Sequence, residues 1–306
     1  MKLDHVNCLI LDEGDGSVTV IDTGFDTPET RDLWARVLGG RRVGRIVVTH
    51  HHPDHVGLAG WFQSQGAELW MSRVAWLTAR MLLLDIRDLP APETVEFWKA
   101  CGMDREILAR RITERPFNFA DMLSDMPLGL NRLEDGARIA MGGRDWIIRM
   151  GQGHAPDQAT FWCEAEDLVI GADQLLPSIS PNLSLYATEP DADPVGEWLA
   201  SCERFLEIAT ANQLVLPGHK MPYRGLPLRL GQLIANHQGA LERLLHHISE
   251  PRTAGECFAP LFKRRIGSGE YGLALGEAAA HCRHLVHLGR ATREMGSDGA
   301  WYYTAL

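Results

Sequence analysis

Hydrophobic residues follow two rhythms along this chain. In the first, short apolar runs rich in β-branched side chains read as buried strands, and each stops on a cluster of Gly, Pro, Asp or His. Val18-Thr19-Val20-Ile21 ends in Asp22-Thr23-Gly24, and Arg45-Ile46-Val47-Val48 ends in Thr49-His50-His51-His52-Pro53-Asp54-His55. Trp146 to Met150 ends in Gly151-Gln152-Gly153-His154, and Leu168-Val169-Ile170 ends in Gly171-Ala172-Asp173. Gln213 to Leu216 ends in Pro217-Gly218-His219, and His5 to Leu11 forms a further strand near the start.

The second rhythm is helical. An insertion over residues 74–131 lacks period-two alternation, and Ala75-Trp76-Leu77, Met81 to Leu84 and Ile86 recur at helical spacing. Pro90-Ala91-Pro92-Glu93 restarts a helix over Val95 to Ala100, and a third runs from Asp104 to Thr113. Asp193-Pro194 caps a helix reaching about Thr210. Beyond it, Leu230 to Ile248 and Leu273 to Leu288 are helices, and Thr253-Ala254-Gly255-Glu256 is a capping box opening another through Phe262. A hairpin around Gly296-Ser297-Asp298-Gly299 closes the chain. The pattern divides the chain into a main unit, residues 1–224, and a helical, hairpin-ended unit, residues 225–306.

Composition narrows the class. With 306 residues, 45% hydrophobic and 23% charged, the chain can bury a sizeable core as one domain plus an appendage. No apolar run approaches the roughly 20 residues a membrane helix needs, and Met1-Lys2-Leu3-Asp4-His5 lacks the basic-then-apolar form of a signal peptide. Six cysteines without paired spacing read as reduced thiols, so a cytoplasmic protein with no membrane partner is expected. The net charge of −10 weighs against nucleic acid, because phosphate backbones reward clustered Lys and Arg. The one basic cluster of the tail, Lys263-Arg264-Arg265, reads as a solvated charge run.

The chemistry lies in the strand-end clusters. His-x-His-x-Asp-His offers imidazole and carboxylate, the ligands that zinc or iron(II) accepts. A loop leaving a strand fans such side chains apart, whereas a helix would align only those three or four apart. The chain has no Gly-x-Ser-x-Gly elbow, phosphate-cradling loop or Cys-x-x-Cys, which leaves metal-assisted hydrolysis as the economical reading.

Five such motifs in this order resemble the metallo-β-lactamase superfamily, over the chain from about Asp4 to His219. The resemblance implies an α/β fold, a four-layer αββα sandwich. It implies a first metal held by His50, His52 and His154, and a second held by Asp54, His55 and His219. Asp173 corresponds to the carboxylate bridging both, and Asp22 to a residue that steadies the His loop from behind, a role no more expected than a purely structural one at its strand end. His51, His246, His247 and His287 read as surface or core residues. Relatives usually carry one more strand before His5 to Leu11, so an edge of the first sheet is expected to need a cover, such as a second copy in a homodimer. The helical insertion resembles the cap that several members place over the metals, and the tail resembles the winged-helix-like C-terminal domain of a β-lactamase-like endoribonuclease branch.

Two metal ions, taken as Zn2+ with iron or manganese also suited to the ligands, would supply a bridging hydroxide at neutral pH. Asp54 is then the catalytic residue, because a ligand carboxylate keeps one oxygen free to accept a proton. An Asp at position 173 fits the thioesterase, lactonase and ribonuclease branches better than the antibiotic-degrading one. Acidic charge, with Met81, Phe97, Trp98, Met103, Phe117, Phe119, Met122 and Met126 in the insertion, favours a small acyl substrate, an ester, thioester or lactone. The alternatives are cleavage of single-stranded RNA and promiscuous β-lactamase or phosphoesterase activity. Asn182, Tyr186 and Tyr223, on or near the loop after Asp173, are candidate substrate contacts.

Overall fold

A computed structural model describes residues 5–126, 128–262 and 264–306. Met1 to Asp4 of the N-terminal segment and Lys263 of the basic cluster lie outside the described residues. In chain order the first half runs β1 (Leu9–Asp12), β2 (Ser17–Ile21), α1 (Pro28–Leu38), β3 (Arg42–Val47), α2 (Pro53–Val56), α3 (Ala59–Ser64), β4 (Glu68–Ser72), α4 (Arg73–Leu84), α5 (Pro92–Ala100), α6 (Arg105–Arg111) and β5 (Asn131–Leu133). The second half runs β6 (Arg138–Met141), β7 (Arg144–Gly151), β8 (Gln158–Cys163), β9 (Leu168–Ala172), α7 (Pro194–Ile208), β10 (Leu214–Pro217), α8 (Leu226–His247), α9 (Phe258–Phe262), α10 (Tyr271–His287), β11 (Ala291–Met295) and β12 (Trp301–Ala305).

Two five-stranded sheets form, in the orders β1-β2-β3-β4-β5 and β10-β9-β8-β7-β6, and β11 pairs with β12 alone. Strands β2 to β5 are parallel, as are β9 and β10, while β6 to β9 are antiparallel neighbours. The period-two alternation of the strands sorts their side chains into three cores. Ile21, Val47, Ile148, Phe161 and Ile170 fill the space between the sheets. Ile46, Val48, Leu69 and Met71 point the other way, onto Trp34 and Leu38 of α1 and Ala75 and Ala79 of α4. Trp162, Val169 and Val215 face outward from the second sheet onto Trp198 and Phe205 of α7 and Leu230 and Leu233 of α8. These are the four layers, helix-sheet-sheet-helix, that the motif series implied.

The expected helices are present, with two differences. The Thr253–Glu256 capping box opens only a 3-10 turn over Ala254–Glu256, and α9 starts afresh at Phe258. Pro260 lacks the N–H that would bond back to the Glu256 carbonyl, so a continuous helix cannot pass through this point. The insertion also divides instead of closing as one cap. Ala75 and Ala79 hold α4 against the first sheet, but Phe97, Cys101 and Met103 join the core of the tail. Gly255 N–H donates to the Cys101 carbonyl at 2.9 Å, the Asp104 N–H donates to the Tyr271 hydroxyl at 3.0 Å, and the Phe97 and Trp301 rings meet edge-on. Strand β1 is the outer strand of its sheet and pairs with β2.

Candidate metal centre

Five loops carry the chemistry, and all leave one rim where β2, β3, β7, β9 and β10 end. Backbone strain is concentrated there. Asp22, Ala172 beside Asp173, and Lys220 beside His219 adopt left-handed conformations that non-glycine residues seldom take. Gly218 has a local reason as well, since a Cβ there would lie 2.2 Å from an Asp173 carboxylate oxygen.

The seven ligand candidates converge. His50, His52 and His154 lie in one group, His50, His55 and Asp173 in a second, and Asp54, His55 and His219 in a third, with ligand atoms in each group within 4.8 Å of one another. His50 Nε2 and His52 Nδ1 are 3.0 Å apart. Asp173 Oδ2 stands 3.5 Å from His154 Nε2 and 3.3 Å from His219 Nε2, so one carboxylate spans the two halves of the site. His55 Nε2 is 3.5 Å from Asp173 Oδ1 and 3.7 Å from Asp54 Oδ2, and His219 Nε2 is 3.4 Å from Asp54 Oδ2. Ligands at about 2.1 Å from a cation in tetrahedral array are separated by about 3.4 Å.

What stands behind each ring fixes which nitrogen points inward. His55 Nδ1–H donates to Asp22 Oδ2 at 2.7 Å, and His154 Nδ1–H donates to the Asn182 carbonyl at 2.9 Å. His219 Nδ1–H donates to the His5 carbonyl, and Thr49 accepts from His50 Nδ1 while giving its own proton to Asp22. These acceptors leave Nε2 of His55, His154 and His219 facing inward without a partner, the usual arrangement behind metal-binding imidazoles, while His50 Nε2 meets His52 Nδ1. His55 Nε2, His154 Nε2, His219 Nε2 and Asp173 Oδ1 are buried and have no hydrogen-bond partner. Buried polar atoms left so are costly, and four converging lone pairs are the donor set a divalent cation satisfies.

Electrostatics agree. Burial opposes ionisation of Asp173, yet His55, His154 and His219 hold its carboxyl well below the usual range, and His55 with His219 hold Asp54 down. Burial works against a charged His55, but Asp54, Asp22 and Asp173 together raise its pKa well above the ordinary value. For His219, burial is outweighed by Asp173 and Asp54, which push it up to about 10. His50 and His52 are kept neutral by burial and by neighbouring imidazoles. The rim is thus a buried, carboxylate-rich cluster that favours positive charge.

Asp22 reaches three groups at once, since Thr49 N–H and Thr49 Oγ–H also donate to it at 2.8 Å. It ties the entrance of the His loop to His55. His51, read from the sequence as bland, is buried beside the site with its ring stacked on Phe119 at 6.1 Å. The three candidate substrate contacts are placed differently from one another. Asn182 serves His154 through its backbone, while its side-chain amide donates to Glu277 at 2.8 Å and accepts from Ser184. The Tyr223 hydroxyl is directed at the Leu175 carbonyl, 3.4 Å away, and Tyr186 is half exposed. Sequence reasoning missed His5 and Asn7. Asn7 donates to the Pro217 and Lys220 carbonyls, and His5 receives the Lys220 N–H, so the N-terminal segment clamps the Pro-Gly-His loop. The partners lie more than two hundred residues away, and no local signal marks them.

A family model described as metallo-beta-lactamase superfamily matches residues 1–219, and one for the metallo-beta-lactamase-like C-terminal domain matches residues 241–306. The chain belongs to the metallo-β-lactamase superfamily and is a metallo-hydrolase of that class. Among solved structures it is similar to a β-lactamase domain protein from Burkholderia ambifaria, with 30% identity and a TM-score of 0.89 over 100% of this chain and 90% of that one. It is also similar to a metallo-β-lactamase family protein from Thermus thermophilus, with 27% identity and a TM-score of 0.80 over 98% of this chain and 94% of that one. No curated protein matches it.

Proposed function

We propose that this chain is a dinuclear metal-dependent hydrolase of a small ester, thioester or lactone. The observation that carries the reading is the set of four buried, unpartnered donor atoms ringed by three carboxylates. His50, His52 and His154 would hold one ion, Asp54, His55 and His219 the other, with Asp173 shared between them. Two bound divalent ions supply an activated water at neutral pH and polarise the scissile carbonyl.

The chain's own groups then have distinct tasks. Asp54 is the least enclosed of the carboxylates in the site, and its second oxygen is free to take a proton from the attacking water and pass it to the leaving group. Asp22, Asn182 and His5 keep the rings from turning by accepting their Nδ1 protons. The Phe119 ring, stacked against His51, forms an apolar wall next to the His loop and suits an acyl group.

The small substrate is preferred to RNA because four arginines of the tail are engaged by acids and three more by backbone carbonyls. Arg264 pairs with Glu270, Arg290 with Glu242, and Arg283 and Arg293 both with Asp191. Cations so committed offer little to a phosphate backbone. Metal analysis of the purified protein, followed by thioesters, lactones, β-lactams and single-stranded RNA, tests the reading. Two equivalents of metal with turnover of a thioester or lactone are expected. Salt-sensitive RNA cleavage with inert acyl substrates would overturn the substrate class.

A further inference from the structure

Helix α4 has an outward face that the fold leaves unexplained. Ala75 and Ala79 are its buried residues and seat it on the first sheet. On the opposite side Val74, Leu77, Met81 and Leu84 are 41%, 53%, 50% and 70% exposed. Their 3-4-3 spacing places them within a roughly 80° arc, the a/d stripe by which one helix packs on another. Ile86 and Leu89 extend the apolar surface, and Phe117 adjoins it because Asn118 bonds both the N–H and the carbonyl of Arg87. Together these seven side chains expose roughly 700 Å2, more than the largest patch of a typical monomer and near the ~800 Å2 that each partner contributes to a standard interface.

The stripe is also self-complementary. In an antiparallel pair of α4 helices related by a two-fold axis that crosses the exposed stripe between Leu77 and Met81, Val74 faces the second copy's Leu84 and Leu77 faces its Met81. The same register sets Arg73, at the start of the helix, opposite Asp85 just past its end. Arg73 makes no ion pair among the described residues. Asp85 pairs with Arg87 on the surface, where both side chains are about half exposed and the pair holds little energy. Each helix would thus bring an acid to the other's N-terminus and a base to its C-terminus, the favourable sense for both dipoles.

We infer that the exposed face of α4, extended by Ile86, Leu89 and Phe117, is a self-association surface that joins two copies of this chain around an axis between Leu77 and Met81. A membrane surface fits less well. The flanks carry Asp85 and Asp88 as well as Arg73 and Arg87, and the chain as a whole is at −10, whereas interfacial helices present basic flanks to anionic lipid.

Sedimentation equilibrium or light scattering over 1–100 µM protein tests this. The full chain is expected at twice its monomer mass in the upper part of that range, and Leu77→Glu and Met81→Glu each to weaken dimerisation by more than about 100-fold. Arg73→Asp and Asp85→Arg are each expected to weaken it, and the doubly exchanged chain to recover it, a result that a merely misfolded variant cannot give. Circular dichroism of each variant checks that the fold is kept. A wild-type monomer at 100 µM overturns the inference. So does a dimer that Leu77→Glu leaves intact, or a monomer that co-sediments with anionic phospholipid vesicles through this face.

Discussion

Two buried groups of histidines in this molecule differ in one respect that separates chemistry from architecture. At the rim, His55, His154 and His219 give their Nδ1 protons to acceptors behind them and turn bare Nε2 atoms toward Asp173 and Asp54. Between α8 and α10, the chain of bonds is closed. Ser180 Oγ–H donates to His237 Nε2 at 2.8 Å, His237 Nδ1–H to His281 Nε2 at 3.2 Å, and His281 Nδ1–H to the Glu277 carbonyl at 2.8 Å. A carbonyl only accepts, so the direction of the whole relay is fixed by its last bond. Burial keeps this second pair neutral, lowering His237 to about 3 and His281 to about 4, whereas carboxylates raise His55 and His219. Density of histidine is therefore no guide to a metal site. Unsatisfied nitrogen atoms beside carboxylates are.

The largest effect that would break this comparison concerns Asp54. Asp54→Ala removes a carboxylate from the group containing His55 and His219, and with it the proposed proton acceptor. Turnover is expected to fall by at least about 10³-fold, within the range of general-base losses, while circular dichroism stays unchanged. Wild-type activity at matched metal content would remove Asp54 from the mechanism. In the same titrations, zinc stoichiometry should drop in His154→Ala and stay at the wild-type value in His281→Ala.

A step smaller is Asp22→Asn. The amide cannot accept from Thr49 N–H, Thr49 Oγ–H and His55 Nδ1–H together, as the carboxylate now does. Losing such a partner behind a ligand costs about 10–100-fold in metal affinity, measurable by competition with a chromophoric chelator. An unchanged affinity would make Asp22 a strand-end residue and nothing more.

For the closed group the expected loss is in stability. His281→Leu strands the His237 Nδ1–H in a buried place, and an unpaired buried donor costs about 1–3 kcal/mol. Urea melts should register that loss with metal stoichiometry unaltered. A change in stoichiometry instead would mean that the two groups communicate through the loop bearing Ser180 and Asn182.

The sequence made one group legible and hid the other for physical reasons. The candidate ligands at the rim sit in short motifs because a strand end is a fixed local geometry, so Thr49 to His55 and Pro217 to His219 carry their signal within a few residues. The four layers followed from the same strands, whose alternation sends Ile46 and Val47 to opposite cores. By contrast, Ser180, His237 and His281 are brought together by helix packing across long separations, and neither spacing nor composition marks them. The insertion shows the same limit. Its helices could be read from their periodicity, but the partner of Phe97 and Met103 is chosen by the tail's core, which local pattern does not reveal. His5 and Asn7 act through a backbone carbonyl and an amide on a loop at the far end of the domain, and were invisible for that reason.

The smallest expected effect sharpens the comparison at the edge of the closed group. Asp193 caps α7 by accepting from the Gly196 N–H at 3.0 Å, and it also meets Nδ1 of His284 at 2.9 Å and of His287 at 3.1 Å. Burial opposes its charge, but the bonds from His284 and Gly196 hold its carboxyl down to about 2. A carboxylate whose folded pKa lies below its unfolded value, about 3.9, contributes stability that is fully present above that value and is lost as the pH falls toward 2. Asp193→Asn keeps a capping oxygen and removes the charge, so it should be about 1 kcal/mol less stable at pH 6, the lost ion pairing discounted for solvent screening of this partly exposed group. In urea melts the gap between the two proteins should hold from pH 6 to pH 5 and begin to close at pH 4. A gap that widens on acidification would mean that His284 and His287, not Asp193, govern this corner of the fold.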